Sequence, residues 1–158
     1  MAFADDTLTI NLDTLFTEVV NASLLESRTL KQGVQDFDIG MINDEERDFY
    51  DTHVVQALDN AAMNIGAYLV EYGLSDGSGD QTYEYLFVED TLTDQMGKMF
   101  GVNLVKYLKS YVLMEWFKRF PEFSANSQTN GQQADMALSA MKSNVLFGKK
   151  PQKKYRAY

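Results

Sequence analysis

The sequence predicts a mainly α protein: a four-helix bundle with a small β element at residues 7–12 and 82–88 and extended N- and C-terminal arms. Three observations point there. Residues 99–120, MFGVNLVKYLKSYVLMEWFKRF, place 14 apolar or aromatic side chains in 22 positions at helical spacing. Asn43 and Glu46 form a capping-box pattern ahead of a second long stripe. A further stripe toward the C-terminus closes on Gly148 and Pro151, a helix stop pair. With 158 residues and 45% hydrophobic content, one helical domain over residues 1–148 is expected, followed by a basic tail at 149–158.

Taken in order, residues 5–12 alternate Leu8, Ile10 and Leu12 with polar neighbours, which suits a short strand or an extended arm. Asp13 is then the expected cap of a first helix running to about Arg28–Lys31, with Gly33 as its stop. Its buried side is Leu15, Phe16, Val19, Ala22 and Leu24 or Leu25. Residues 33–42 carry two glycines and no clear period, so they read as a loop with Phe37 and Ile39 turned inward. The helix begun at Asn43 keeps a stripe of Tyr50, Val54, Leu58, Ala61, Ile65, Leu69 and Tyr72 until Gly73. Asp44, Glu45 and Glu46 sit where the helix dipole favours negative charge.

A turn-rich loop at 73–80 leads to residues 82–88, with Tyr83, Tyr85 and Phe87 on one side of a strand. That strand either pairs with residues 7–12, the favoured arrangement, or forms an edge that a neighbouring subunit completes. Thr91 or Thr93 can cap the central helix, whose buried rows are Phe100, Leu104, Leu108, Val112, Trp116 and Phe120, then Val105, Tyr107, Tyr111, Met114 and Phe117. Lys106, Lys109, Glu115, Lys118 and Arg119 keep one edge wet. Pro121 ends this helix and opens a last one. The last helix is polar and weak through Ser124–Gln133, then firm at Ala134, Leu138, Met141 and Val145.

Composition narrows the chemistry. Cysteine is absent, which removes disulfides, thiolate metal sites and a cysteine nucleophile. The acidic start MAFADD lacks the basic region of a signal peptide, and no apolar run spans a bilayer, so the chain reads as intracellular at synthesis. His53 is the only histidine, one residue off the second helix's stripe, and reads as a packed or half-exposed side chain. No nucleophile elbow accompanies it, and a single histidine cannot build a di-iron bundle site. Asp76, Ser78 and Asp80 imitate the opening of a calcium loop, but Gln81 and Phe87 stand where glycine and glutamate are needed. The acid run Asp44–Asp51 is explained by a capped helix start. No phosphate-binding glycine motif occurs, so no cofactor, metal or catalytic residue is expected.

The net charge of −9 conceals a division. Residues 1–97 hold 20 acids and three bases, whereas residues 98–158 hold three acids and 11 bases. Each half can simply carry its own solvated face, or a negative surface on one copy can meet a positive surface on the next. The acidic total argues against a free nucleic-acid binder. In the tail, Tyr155 and Tyr158 alternate with bases, a pattern suited to docking.

Tyr107, Tyr111-Val112, Glu115-Trp116-Phe117 and Phe120-Pro121-Glu122, followed by a helix closing as Leu146-Phe147-Gly148-Lys149-Lys150-Pro151, resemble the C-terminal half of small helical virion proteins. These are head–tail connector or ring proteins of tailed phages of gut Bacteroidetes, including the crAss-like group. The resemblance covers residues 104–154, about a third of the chain. It implies a non-enzymatic subunit of a neck or tail ring of about 6 or 12 copies around the DNA channel, made in the host cytoplasm and carried in the virion. The implied partners are further copies of itself, a portal or other neck and tail proteins, and packaged DNA, with no membrane. Lys149, Lys150, Lys153, Lys154, Tyr155, Arg156 and Tyr158 are the candidate contacts with an acidic neighbour or channel DNA. Two other readings stay open: an acidic DNA mimic that occupies a host nucleic-acid enzyme, and an enzyme whose site leaves no motif.

Overall fold

The computed structural model describes residues 2–29, 41–75 and 80–148. Phe37, Ile39, Gly33, Asp76, Ser78 and all seven candidate tail residues, from Lys149 to Tyr158, lie outside the described residues. The order of elements is β1 (Ala2–Ala4), β2 (Thr7–Asn11), α1 (Leu12–Thr29), α2 (Arg47–Ile65), β3 (Leu69–Ser75), β4 (Thr82–Phe87), α3 (Asp94–Phe117) and α4 (Ser124–Phe147). The fold is thus mostly helical, with four long helices and one small antiparallel sheet in the order β1-β2-β4-β3.

The expected pairing of the two sequence-predicted strands is present. β2 runs antiparallel to β4, with Leu8 opposite Tyr85 and Ile10 opposite Tyr83. Their alternation puts Leu8, Ile10, Tyr83, Tyr85 and Phe87 into the core, each 2% exposed or less. Two further strands complete the sheet. β1 folds back on β2 through Asp5 and Asp6, both at positive φ (50° and 58°), as a tight two-residue hairpin of this hand requires. The N-terminal segment expected to project as an arm is therefore an edge strand of its own sheet. Phe3 lies edge-on to Phe87, ring centroids 6.2 Å apart, and over the bare backbone of Gly97 in α3.

β3 replaces what the stripe read as the end of the second helix. Leu69 and Tyr72 continue the three-and-four spacing after Ile65, but the chain leaves α2 there through a single tight turn at Gly66–Tyr68. Residues 69–75 then pair with the free side of β4. The segment's valine, tyrosine and leucines suit a pleated surface, and hydrogen bonds to β4 outweigh one more helical turn.

Local start signals hold in part. Asn43 and Glu46 close a capping box around a short turn that leads into α2: the Glu45 N–H donates to Asn43 Oδ1 at 2.8 Å and the Asn43 N–H to Glu46 Oε2 at 3.0 Å. Thr93 caps α3 by accepting from the Met96 N–H. The first helix differs from expectation. It begins at Leu12, so Asn11 caps it by accepting from the Thr14 N–H at 2.8 Å, and Asp13 already lies in its first turn. Leu25 is 64% exposed, and the stripe continues instead through buried Ser23 and Ser27. Their hydroxyls donate to the carbonyls of Val20 and Ser23, and Ser23 Oγ also accepts from the Ile42 N–H at 3.0 Å.

α3 is the element the others share. It packs on α1, α2, α4 and β1, with α4 its most extensive neighbour. Phe100, Leu104, Leu108, Val112, Trp116 and Phe117 are all buried along it. The polar part of α4 is fully helical because its polar side chains are satisfied inside the packing: Ser127 Oγ donates to the Met114 carbonyl, and Asn130 Nδ2 to Glu26 Oε2 at 2.7 Å. Gly131 allows the Met114 thioether to lie against α4. Among the described residues no helix is long and apolar enough to cross a membrane.

Candidate functional site

His53 and Arg47 with its two carboxylate partners are engaged structurally. The His53 ring stacks on Phe49 with centroids 4.0 Å apart, and its Nδ1 sits 2.8 Å from the Phe49 carbonyl oxygen, one turn back in α2. Arg47 is the cation inside the acid run at the start of α2: its guanidinium reaches Asp13 at 2.6 Å and Asp51 at 2.8 Å and covers the Phe16 ring. That hydrogen bond holds the Asp13 carboxyl below its usual pKa of 3.8. Asp80, part of the apparent calcium loop, accepts from Asn11 Nδ2 at 2.7 Å. Among the described residues no group of His, Asp or Glu could hold a metal ion.

The buried tyrosines anchor backbone. Tyr50 donates to the Leu12 carbonyl at 2.8 Å, Tyr85 to the Leu58 carbonyl at 2.7 Å and Tyr83 to Asp59 Oδ1 at 2.8 Å. Burial raises the pKa of all three well above the ordinary phenol value. Tyr107, on α3, is pushed up to about 12 by the same cause. These groups stay neutral and serve the fold.

Two surfaces are open and partly apolar. The first is a groove of about 500 Å³ between α1, α3 and α4, floored by Ala22, Leu113, Ala137 and Ala140 and walled by Glu26, Lys106, Lys109, Asn130 and Gln133. Its polar wall is largely occupied, since Asn130 holds Glu26 and Lys109 pairs with Glu18 at 3.2 Å.

The second is the outer side of β3. This strand lies at the end of the sheet, and among the described residues no strand runs beside its outer edge. Val70, Tyr72 and Leu74 are 65%, 43% and 47% exposed. Tyr72 and Leu74 stand opposite buried Tyr85 and Tyr83, so they overhang the core side of the sheet. On the other face Glu71, Gly73 and Ser75 stand opposite Leu86, Glu84 and Thr82, around a shallow cavity of about 380 Å³. A side chain at Gly73 would meet nothing within 4 Å, and opposite it the half-buried Glu84 accepts from Thr9 Oγ1 at 3.5 Å on the β2 side. Val70 is an extra residue against β4, a bulge at the Leu69 end. From Glu71 to Ser75 the strand is regularly paired with β4 and carries exposed apolar side chains, the kind of edge that a further strand can complete.

Charge is divided between the described body and the tail. The body carries 20 acidic and eight basic side chains, and residues 149–158 carry five bases and no acid. The root of the tail, Gly148, is wedged beside Leu92 and the Thr91 carbonyl, where a Cβ would come within 3.0 Å of that oxygen. The β3 edge was missed in the sequence because residues 69–72 fit the preceding helical stripe. Gly73 within an alternating apolar run was the available signal. Comparison with protein-family models, curated proteins and solved structures finds no match for this chain.

Proposed function

We propose that this chain is a structural subunit that joins copies of itself head to tail in a ring, the neck or tail ring of a tailed phage. Within the four-helix bundle, α2, α3 and α4 are read as the subunit body, and the basic tail at Lys149, Lys150, Lys153, Lys154, Tyr155, Arg156 and Tyr158 as its reach toward an acidic neighbour, a portal protein or channel DNA. The observation that carries the reading is the separation of charge: an acidic body joined to a short, purely basic segment. One copy then offers what the next one lacks, and such a heterologous contact closes into a ring. The uncovered β3 edge supports it, as a place where chains can meet without any reaction. The acidic body also suits the DNA-mimic reading, in which a monomer or dimer would compete with DNA for a basic enzyme.

Removing residues 149–158 tests the proposal. Assembly of the purified protein, followed by native mass spectrometry, is expected to be lost while helical circular dichroism is unchanged. Rings that survive the truncation would overturn the tail's role. A chain that stays monomeric at full length and displaces DNA from a basic protein would favour the mimic.

A further inference from the structure

We infer that the outer edge of β3 receives the C-terminal segment of a second copy, residues 152–158, as an added strand that carries Lys154 and Arg156 over Glu71 and Glu84. This deepens the ring reading and rests on it. Residues 152–158 contain no proline and follow Pro151, which tolerates the first position of an edge strand but not its middle.

The charges agree. Alternate residues of a strand share a face, so Lys154 and Arg156 fall together and Tyr155 falls on the other side. Glu71 and Glu84 mark the outer face of β3 and β4, opened by Gly73, while Tyr72 and Leu74 overhang the inner side. One registration therefore places both bases on both acids and Tyr155 against Tyr72 and Leu74. Main-chain hydrogen bonds supply the affinity of such an addition and the alternating side chains its specificity.

A second copy suits the edge better than the chain's own tail. Gly148 is wedged beside Thr91, the Thr91 N–H donates to the Val88 carbonyl, and the Val88 N–H donates to the Tyr68 carbonyl. The chain's own tail thus starts from the Leu69 end of β3, where the Val70 bulge breaks the ladder, and would run parallel to β3. A tail from another copy can meet the regular Gly73–Ser75 end first and pair antiparallel, the slightly stronger arrangement.

The full chain contains no cysteine, so introduced thiols report cleanly. Tagged Gly73→Cys protein is mixed with untagged Lys154→Cys, Tyr155→Cys or Arg156→Cys protein and mildly oxidised, with exposed Gln128→Cys as the control. The expected result is a disulfide between tagged and untagged copies at positions 154 and 156, about a hundredfold faster than the control, because a seated segment is held at millimolar effective concentration. Tyr155→Cys should fall well below both. Reversing Glu71 and Glu84 to lysine should abolish the fast reaction, and Lys154→Glu beside Arg156→Cys, or Arg156→Glu beside Lys154→Cys, should restore it. Equal yields at 154, 155 and 156, yields at the control rate, or disulfides only inside one chain of a doubly substituted protein would overturn the inference. Rings seen by native mass without these cross-links would overturn the tail's seat and leave the ring reading standing. Single chains without cross-links would overturn both.

Discussion

Gly97→Ala measures how firmly the N-terminal hairpin is clasped to α3. A Cβ at position 97 would overlap the Cγ, Cδ1 and Cε1 atoms of the Phe3 ring. In an isolated helix this substitution is favourable by about 1 kcal/mol. Here it displaces a half-buried phenylalanine, whose burial contributes about 1–1.5 kcal/mol, roughly half the value of a fully buried ring. It also breaks the edge-on pair with Phe87, worth about 0.5–1.5 kcal/mol. The loss outweighs the gain, and Gly97→Ala is expected to destabilise by about 1 kcal/mol, a fall in Tm of about 2–4 °C. With Phe3→Ala in place the ring is gone, and the same substitution should stabilise by about 1 kcal/mol. Urea unfolding of the four proteins gives the cycle, and amide exchange should show residues 2–11 opening faster in Gly97→Ala alone. Stabilisation by Gly97→Ala with Phe3 intact, or additivity of the two changes, would refute the clasp.

Two further outcomes follow from the geometry. Asp6→Gly relieves a non-glycine residue at φ 58° in the β1–β2 turn and should raise the urea midpoint by the equivalent of about 1 kcal/mol, with unchanged slope; a lowered midpoint would contradict the turn. Tyr50, Tyr83 and Tyr85 keep their protons far above the ordinary phenol pKa of 10.0. A phenol pKa raised in the folded state leaves stability untouched below pH 10 and removes it as pH climbs beyond that value, because the unfolded chain then sheds protons the folded one retains. Absorbance titration should therefore show the exposed phenols ionising first and these three only with unfolding. Simultaneous ionisation of all nine tyrosines in a folded protein would contradict their burial.

Much of the helical framework was legible because burial enforces a period. The rows at Phe100–Trp116 and Tyr50–Ile65 recur every three or four residues, and packing turned them inward as the pattern required. Asn43 with Glu46, and Thr93, were legible because capping is local chemistry. The end of α2 was not. Leu69 and Tyr72 fit helical and strand periods alike, and the choice depended on a hydrogen-bonding partner, β4, more than ten residues away in sequence. Ser23, Ser27 and Asn130 hid for a related reason: their burial rests on partners at Val20, Ile42 and Glu26 that no hydrophobic pattern displays. β1 escaped notice because two aspartates, rather than glycine or asparagine, take the left-handed turn. The candidate site divides along the same line. The basic tail was visible as composition, whereas the edge that would receive it exists only once the sheet is assembled.

The most direct test is the native mass of the purified chain at micromolar concentration and physiological salt. A closed ring of identical subunits, about 6 or 12 in number, that dissociates as salt rises is the predicted result. A lone monomer at every concentration and salt would contradict it.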